Sequence, residues 1–170
     1  LDTVVAIPAV STDAFRLARV ALHPPDTDTV RFLTSGTTAS PGVHAMRTTE
    51  TYRLLALTAG EGALRSTWPG PCVVVALAAP PTAPPTSSLA FMMQAFMERW
   101  DGRALLRDPA GAPFDPVDPH RWLVSPGGVD VAGLRRAALL ASERQEPLLV
   151  LATAFALVGL LDGDRKSTRL

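Results

Sequence analysis

Apolar residues along the chain occur either in short continuous runs or at helical spacing. The continuous runs predict short strands over 30–33, 43–46, 73–77, 122–124 and 148–152. Helical spacing after Ser, Thr or Asp caps predicts helices over 12–22, from 48 or 49 to about 64, and over 88–100, 130–143 and 154–161. Pro24 and Pro25 are expected to end the first of these helices.

Strands that alternate with helices in this way are typical of an α/β fold. The run Val73-Val74-Val75-Ala76-Leu77 is apolar throughout, as expected of a strand buried on both faces of a parallel sheet. We therefore predict an α/β fold with a mostly parallel sheet and flanking helices. The first two strands are close enough in sequence to form a tight hairpin across the loop between them.

Charge and composition exclude several classes of partner. Acidic and basic residues balance to a formal net charge of +0, which argues against a nucleic-acid partner. The longest apolar runs, 72–79 and 148–161, are shorter than the roughly 20 residues of a membrane-spanning helix. A single cysteine, Cys72, excludes an intramolecular disulfide and suits a reducing compartment. We expect a cytoplasmic protein without a membrane span.

The loop between the first two strands is rich in hydroxyl groups and small residues. Hydroxyl and backbone N–H groups donate to phosphate oxygens, and glycine lets the backbone come close. The loop has neither the P-loop nor the Rossmann glycine spacing, and an ordinary Ser/Thr-rich turn is the alternative. Its sequence is Thr34-Ser35-Gly36-Thr37-Thr38-Ala39-Ser40-Pro41-Gly42.

This loop resembles the phosphate-binding loop of the adenylate-forming enzymes, whose pattern is Thr-Ser-Gly-Thr-Thr-Gly-x-Pro-Lys-Gly. More narrowly, the chain is similar to the acyl-protein synthetase (LuxE-like) family over nearly its whole length. The similarity lies in the loop and in four flanking segments, which are 7–15 (IPAVSTDAF), 41–44 (PGVH), 87–92 (SSLAFM) and 151–158 (LATAFALV). The resemblance implies that residues 1–164 are part of the large N-terminal domain of such an enzyme.

The activity implied by the resemblance is ATP-dependent activation of a carboxylic acid, typically a fatty acid, to an acyl-adenylate. The acyl group then passes to a protein cysteine thiol, and an acyl-protein reductase subunit is a possible partner. ATP and Mg²⁺ are the implied cofactors. The residues implied to contact the ATP phosphates are Thr34, Ser35, Gly36, Thr37 and Thr38. The family lysine after the loop proline is missing here, so Arg47 or Mg²⁺ would supply that cation, and His44 is a further candidate.

Two other functions stay open from the sequence. One is a phenylacetate-CoA-ligase-like enzyme that transfers the acyl group to coenzyme A. The other is a non-catalytic module that binds nucleotide weakly. The acid, the acyl acceptor and the oligomeric state are not defined by these residues.

Several residues invite a functional interpretation that a structural one outweighs. We interpret Cys72 as an inert core cysteine rather than an acyl acceptor. The apolar stripe at helical spacing between Leu89 and Trp100 is interpreted as core rather than as a fatty-acyl channel. A loop group of two aspartates and one histidine, residue types that can bind metals, is interpreted as solvated turn residues. The stripe is Leu89, Met92, Met93, Phe96, Met97 and Trp100, and the loop group is Asp115, Asp118 and His120.

The two ends of the chain carry expectations of their own. The chain begins at Leu1 without an initiator methionine, and we expect a cut rather than a natural start. Residues 165–170 contain Lys166, the only lysine, and are expected to be a non-native tail. The family places adenine-contacting segments and the acceptor cysteine beyond the matched region. We therefore expect the 170-residue chain to be inactive by itself.

Overall fold

The computed structural model describes residues 11, 13–34, 41–68, 70–100 and 121–167. These residues fall into two compact units. The first lies within Leu1–Thr51 together with Thr82–Ser88, and the second lies within Tyr52–Pro81 together with Leu89–Leu170. None of the helices in the described residues is long and apolar enough to cross a membrane.

The first unit is built on an antiparallel hairpin. Strand β1, Val30–Leu33, pairs with strand β2, Val43–Met46, and the register places Phe32 opposite His44 and Leu33 opposite Val43. Both strands and the hairpin are confirmed as predicted. Phe32 is 1% exposed, whereas its neighbour Leu33 is 44% exposed, so the two faces of the hairpin differ.

The helix predicted over 12–22 is wrong in its length. Helix α1 spans only Ala14–Leu17, and Ala18 is already extended with φ −146° and ψ 157°. Asp13 stands at the N-cap position but makes no side-chain cap bond. The backbone leaves the helix where Arg19 reaches Asp28 with a 2.6 Å hydrogen bond. The early end of the helix therefore coincides with the contact to Asp28, nine residues away, and the helix stops well before the proline pair.

The second unit contains a parallel pair of strands. Strand β3, Val73–Leu77, pairs in parallel with strand β6, Leu148–Ala152, in the register Val73 to Leu148. Every residue of β3 is buried, as its continuous apolar sequence predicts. On the other edge of β3, Ala76 forms an isolated parallel bridge with Trp122. The structure is mixed α/β, as predicted, but the sheet is not mostly parallel in the described residues: β3 and β6 form the one parallel pair, and the other two described sheets are antiparallel pairs.

Alternate residues of β3 belong to two apolar clusters. Val74 and Ala76 pack with helix α3, Ser88–Arg99, while helix α2, Glu50–Leu64, contributes Ala56 and Leu57. The buried members from α3 and the residue after it are Ala90, Met93, Phe96, Met97 and Trp100. The stripe predicted as core is therefore core, apart from Leu89, which is 37% exposed.

The second cluster lies against the other set of β3 side chains. Val73, Val75 and Leu77 pack with Ala137 and Ala141 of helix α4, Val131–Arg144. Helix α5, Ala154–Ser167, contributes Ala156 and Leu160 and is longer than the predicted 154–161. Since helices cover both sets of side chains, β3 is shielded as parallel strands require.

A small antiparallel hairpin precedes α4. Strand β4, Val124–Ser125, pairs with strand β5, Gly128–Val129. Asp130 then caps α4 by accepting a 2.8 Å hydrogen bond from the Gly133 N–H. The predicted strand 122–124 is thus divided between the Trp122 bridge and β4, and the hairpin itself was not predicted.

Candidate functional site

The hydroxyl-rich loop begins and ends at two residues, Thr34 and Gly42, that hydrogen-bond to each other. The Thr34 N–H donates to the Gly42 carbonyl at 2.9 Å, and the Gly42 N–H donates to Thr34 Oγ1 at 2.7 Å. Gly42 is buried, so its N–H needs this partner. Thr34, predicted as a phosphate donor, therefore serves as an acceptor that holds the two ends of the loop together. The other loop candidates, Ser35, Gly36, Thr37 and Thr38, lie outside the described residues.

A second segment rich in hydroxyl groups lies beside the start of this loop. The Leu33 N–H donates to the Thr86 carbonyl at 2.8 Å, which joins the segment to the last residue of β1. Within the segment, Thr82 Oγ1 donates to the Pro84 carbonyl at 2.9 Å and lies 3.2 Å from Thr86 Oγ1. The structure thus brings the Ser/Thr-rich segment 82–88 to the same end of the hairpin as the loop. The sequence gives no signal for this contact, which is non-local.

His44 and Arg47 lie at different distances from the loop. His44 is half-buried on β2, two residues after Gly42 and opposite Phe32. Arg47 follows the end of β2, and its carbonyl accepts a 2.9 Å hydrogen bond from Thr29 Oγ1. Five residues of extended chain from Gly42 correspond to roughly 17 Å. The hairpin therefore brings His44 toward the loop and carries Arg47 to its opposite end.

The first unit also contains a carboxylate, shielded from solvent, that contacts two arginines and one histidine. Asp28, whose side chain is 3% exposed, accepts from Arg19 Nη2 on Oδ1 at 2.6 Å and from Arg31 Nε on Oδ2 at 3.0 Å. His23 Nε2 lies 2.9 Å from Oδ1. The hydrogen bond from Arg19, followed by those from Arg31 and His23, lowers the pKa of Asp28 from 3.8 to about 2 against the opposing effect of burial.

A cavity of about 540 Å³ lies next to this carboxylate. Its walls combine apolar side chains with three arginines. The lining residues are Arg16, Leu17, Ala18, Arg19, Asp28, Arg31, Leu33, Val43 and Ala45. All of them belong to the first unit. This cavity is not predictable from the sequence, because its arginines come from α1, from the segment after it and from β1.

A second cavity, of about 770 Å³, lies at the carboxyl end of β3. It is lined by Ala79, Pro80, Trp122, Leu123, Val124, Ser125, Pro126 and Asp130. This edge of a parallel sheet is where α/β proteins bind ligands. The one carboxylate in this lining already has partners, since Asp130 Oδ1 caps α4 and Asp130 Oδ2 lies 3.3 Å from Arg136 Nη2.

Cys72 is 2% exposed and lies in the core of the second unit. Arg65 Nη1 lies 3.0 Å from its sulfur, and the same guanidinium lies 5.6 Å from the centroid of the Trp100 ring. This burial is what an inert core cysteine requires. Asp115, Asp118 and His120 lie outside the described residues. Within the described part of the chain, no three His, Cys, Asp or Glu side chains form a group that could hold a metal ion.

No protein-family model, no curated protein and no solved structure matches the chain. Three features of the first unit bear on function: the closed base of the loop, the adjacent hydroxyl segment and the arginine-lined cavity.

Proposed function

We propose that this chain carries the phosphate-binding loop of an ATP-dependent, carboxylic-acid-activating enzyme of the acyl-protein synthetase type. The observation that carries the proposal is the closure of the loop by Thr34 and Gly42. Two hydrogen bonds at the base of a loop hold its ends in place. A loop held at both ends can present several donors in a fixed arrangement, as phosphate binding requires.

The neighbouring segment supports the same function. The Thr86 carbonyl is joined to β1 one residue before the loop begins, and the Thr86 hydroxyl lies 3.2 Å from that of Thr82. The Ser87-Ser88 sequence in this segment is also one of those that resemble the family. A hydroxyl-rich segment that is far away in sequence thus lies at the end of the hairpin from which the loop leaves.

The chemistry of the proposal is the release of pyrophosphate from ATP. Negative charge develops on the departing pyrophosphate, and fixed donors aimed at its oxygens stabilise that charge in the transition state. We assign these donors to Ser35, Gly36, Thr37 and Thr38. Gly42 occupies the place of the family lysine, and Arg47 follows the far end of β2. The cation is then best supplied by Mg²⁺, which binds chiefly to substrate phosphates with few protein ligands.

The test is acid-dependent exchange of pyrophosphate into ATP, measured in the enzyme that carries this chain. Ser35→Ala or Thr38→Ala should lower the exchange rate by about 10- to 1000-fold, the range for loss of one transition-state donor. The matched control is Ser142→Ala, which removes an exposed hydroxyl on α4 and should leave the rate unchanged. Unchanged exchange in both loop variants would contradict the assignment.

The two alternative functions predict different results in the same experiment. Exchange followed by acyl transfer to coenzyme A, and not to a protein thiol, would identify an acyl-CoA synthetase. Binding of ATP without acid-dependent exchange would identify a non-catalytic nucleotide-binding module. The proposed function requires exchange and a protein thiol as acceptor.

A further inference from the structure

The two edges of the parallel sheet in the second unit differ. On the outer edge of β3, the buried Arg121 donates from Nη2 to the Val74 carbonyl at 3.1 Å. On the same edge, the Leu123 N–H donates to the Ala76 carbonyl at 2.8 Å. The outer edge of β6 has no strand beside it in the described residues. The sheet therefore has one closed edge and one open edge.

The parallel register determines which backbone groups lie on the open edge. The Val73 N–H donates to the Pro147 carbonyl at 3.0 Å, so the Pro147 carbonyl points toward β3. Successive residues of a strand point their backbone groups to opposite edges, so those of Leu148, Val150 and Ala152 point away from β3. Within the described part of the chain, the N–H and C=O groups of these three residues have no partner.

The sequence of β6 lacks the features that protect natural sheet edges. Such edges usually carry a charged residue, a proline or a bulge, whereas Leu148–Ala152 is apolar throughout and regularly paired with β3. Leu148 and Val150 pack with the α4 cluster, and Leu149 and Leu151 pack with the α3 cluster. The first three residues of β6 are only half-buried. A strand that covers this edge must therefore be apolar on both of its faces.

We propose that β6 of a second copy of this chain covers the open edge, antiparallel to the first and related to it by a two-fold axis at Val150. Val150 would then lie opposite Val150 of the second copy, and Leu148 opposite Ala152 of the second copy. All of these residues point their N–H and C=O groups to the open edge, so opposed residues can exchange two hydrogen bonds. The edge is thus complementary to itself, as a two-fold interface requires.

The side chains fit the same occupant. Opposed residues of an antiparallel pair have their side chains on the same face of the sheet, so the α4 clusters of both copies would share one face and the α3 clusters the other. Apolar side chains would then cover apolar side chains on both faces. No charged residue lies between Pro147 and Thr153, so the pairing places no like charges opposite each other.

The closed edge of β3 limits the assembly to two copies. Each molecule contributes one open edge, and the two open edges cover each other in the pair. The outer edges of the combined sheet would be the two β3 edges, whose carbonyls already accept from Arg121 and Leu123. A two-fold pair of this kind is closed and does not grow into a fibre. The pairing does not depend on the proposed function.

The experiment measures the mass of the 170-residue chain by sedimentation velocity over a range of concentrations, and the amide hydrogen exchange of β6 by NMR. The mass should rise from that of one chain to that of two chains and no further. Exchange at the Val150 amide should slow about tenfold or more as the dimer forms. The Leu149 amide faces β3 and should be protected at every concentration.

Ala152→Lys tests the edge in a chain that still folds, because Ala152 is exposed. The lysine would lie opposite Leu148 of the second copy, and lysine is a residue that protects natural edges from pairing. The dissociation constant of the dimer should therefore rise about tenfold or more. The matched control is Ala63→Lys, which adds the same charge at an exposed alanine of α2 and should leave the dissociation constant unchanged. Protection of the Leu149 amide checks the fold of both variants.

Four results would overturn the proposal. The first is a monomer at every concentration. The second is a dimer in which the Val150 amide exchanges as fast as in the monomer, since another surface would then hold the copies together. The third is a dissociation constant that Ala152→Lys and Ala63→Lys change equally. The fourth is growth beyond two copies, which would show that the β3 edge is open to pairing.

Discussion

The two units of the chain are stabilised by different kinds of interaction. In the described part of the hairpin unit, Phe32 is the only apolar side chain that is buried, and the remaining contacts are largely polar. In the other unit, β3 lies between two apolar clusters supplied by α3 and α4. Polar contacts position groups accurately but add little net stability, whereas apolar burial adds most of it. The unit with the candidate sites is therefore expected to open more easily.

The largest effect should come from the apolar cluster. Phe96 is 4% exposed and stacks on Trp100 with ring centroids 4.5 Å apart. Phe96→Ala should lower the free energy of unfolding by about 3–5 kcal/mol, measured by urea denaturation. It should leave the chain-length preference for the acid unchanged, because the residue is core.

Phe155 provides the matched control for this substitution. Its side chain is 92% exposed on α5, so Phe155→Ala should change the free energy of unfolding by no more than about 0.5 kcal/mol. A shifted acid preference in Phe96→Ala at wild-type stability would mean that the α3 stripe lines an acyl site, against the core interpretation.

A smaller effect is expected from two glycines of helix α2. A Cβ atom at Gly60 would lie 2.6 Å from Cε1 of Phe96, whereas one at Gly62 would have no atom within 4 Å. Gly60→Ala should therefore destabilise the protein by about 1–3 kcal/mol through overpacking. Gly62→Ala should stabilise it by up to about 1 kcal/mol, since alanine favours helix. Equal changes in thermal stability would show that α2 does not pack closely on Phe96.

Regular elements with strong local patterns were predictable from the sequence. β1, β2, β3 and β6 were predicted at their observed bounds, because β-branched and apolar runs favour strands locally. The α1 prediction failed for a non-local reason. Asp28 binds Arg19, and the chain is already extended at Ala18. A two-residue strand such as β4 is too short for any periodicity to reveal it.

The candidate site was predictable only as a loop. Its hydroxyl composition is local, but the contact between Leu33 and Thr86 joins residues that lie far apart in sequence. Arg47 was proposed because it is near the loop in sequence, yet a strand of four residues separates the two ends of a hairpin. The arginine-lined cavity was not predicted at all, since it depends on the alternation of side chains across paired strands.

The polar network of the hairpin unit is centred on Asp28, which contacts Arg19, His23 and Arg31. The pKa of Asp28 is about 2 when folded and 3.8 ordinarily, so its ion pairs add stability above pH 3.8 and lose it as the pH falls toward 2. Asp28→Asn should therefore lower the protection of the β1 amides against hydrogen exchange at pH 5. The difference from wild type should disappear near pH 2.

Asp26 lies two residues away and is exposed, which makes Asp26→Asn the matched control. This variant should have the wild-type protection at both pH values. A difference between Asp28→Asn and wild type that is constant from pH 5 to pH 2 would show that the carboxylate charge does not stabilise the hairpin.

The smallest effect should be confined to the base of the loop. In Thr34→Val the Gly42 N–H loses the acceptor that lies 2.7 Å away, while the shape of the side chain is kept. Loss of one hydrogen bond of about 0.5–1.5 kcal/mol should speed hydrogen exchange at the Gly42 amide by about 2- to 10-fold. Thr34→Ser keeps the hydroxyl and should restore the wild-type rate. Thr58→Val, which removes a donor to the Leu54 carbonyl on α2, should leave the Gly42 amide unaffected. If Thr34→Val instead lowers global stability as much as Phe96→Ala, the two units are not stabilised separately, because a single polar contact at the loop would then support the whole fold.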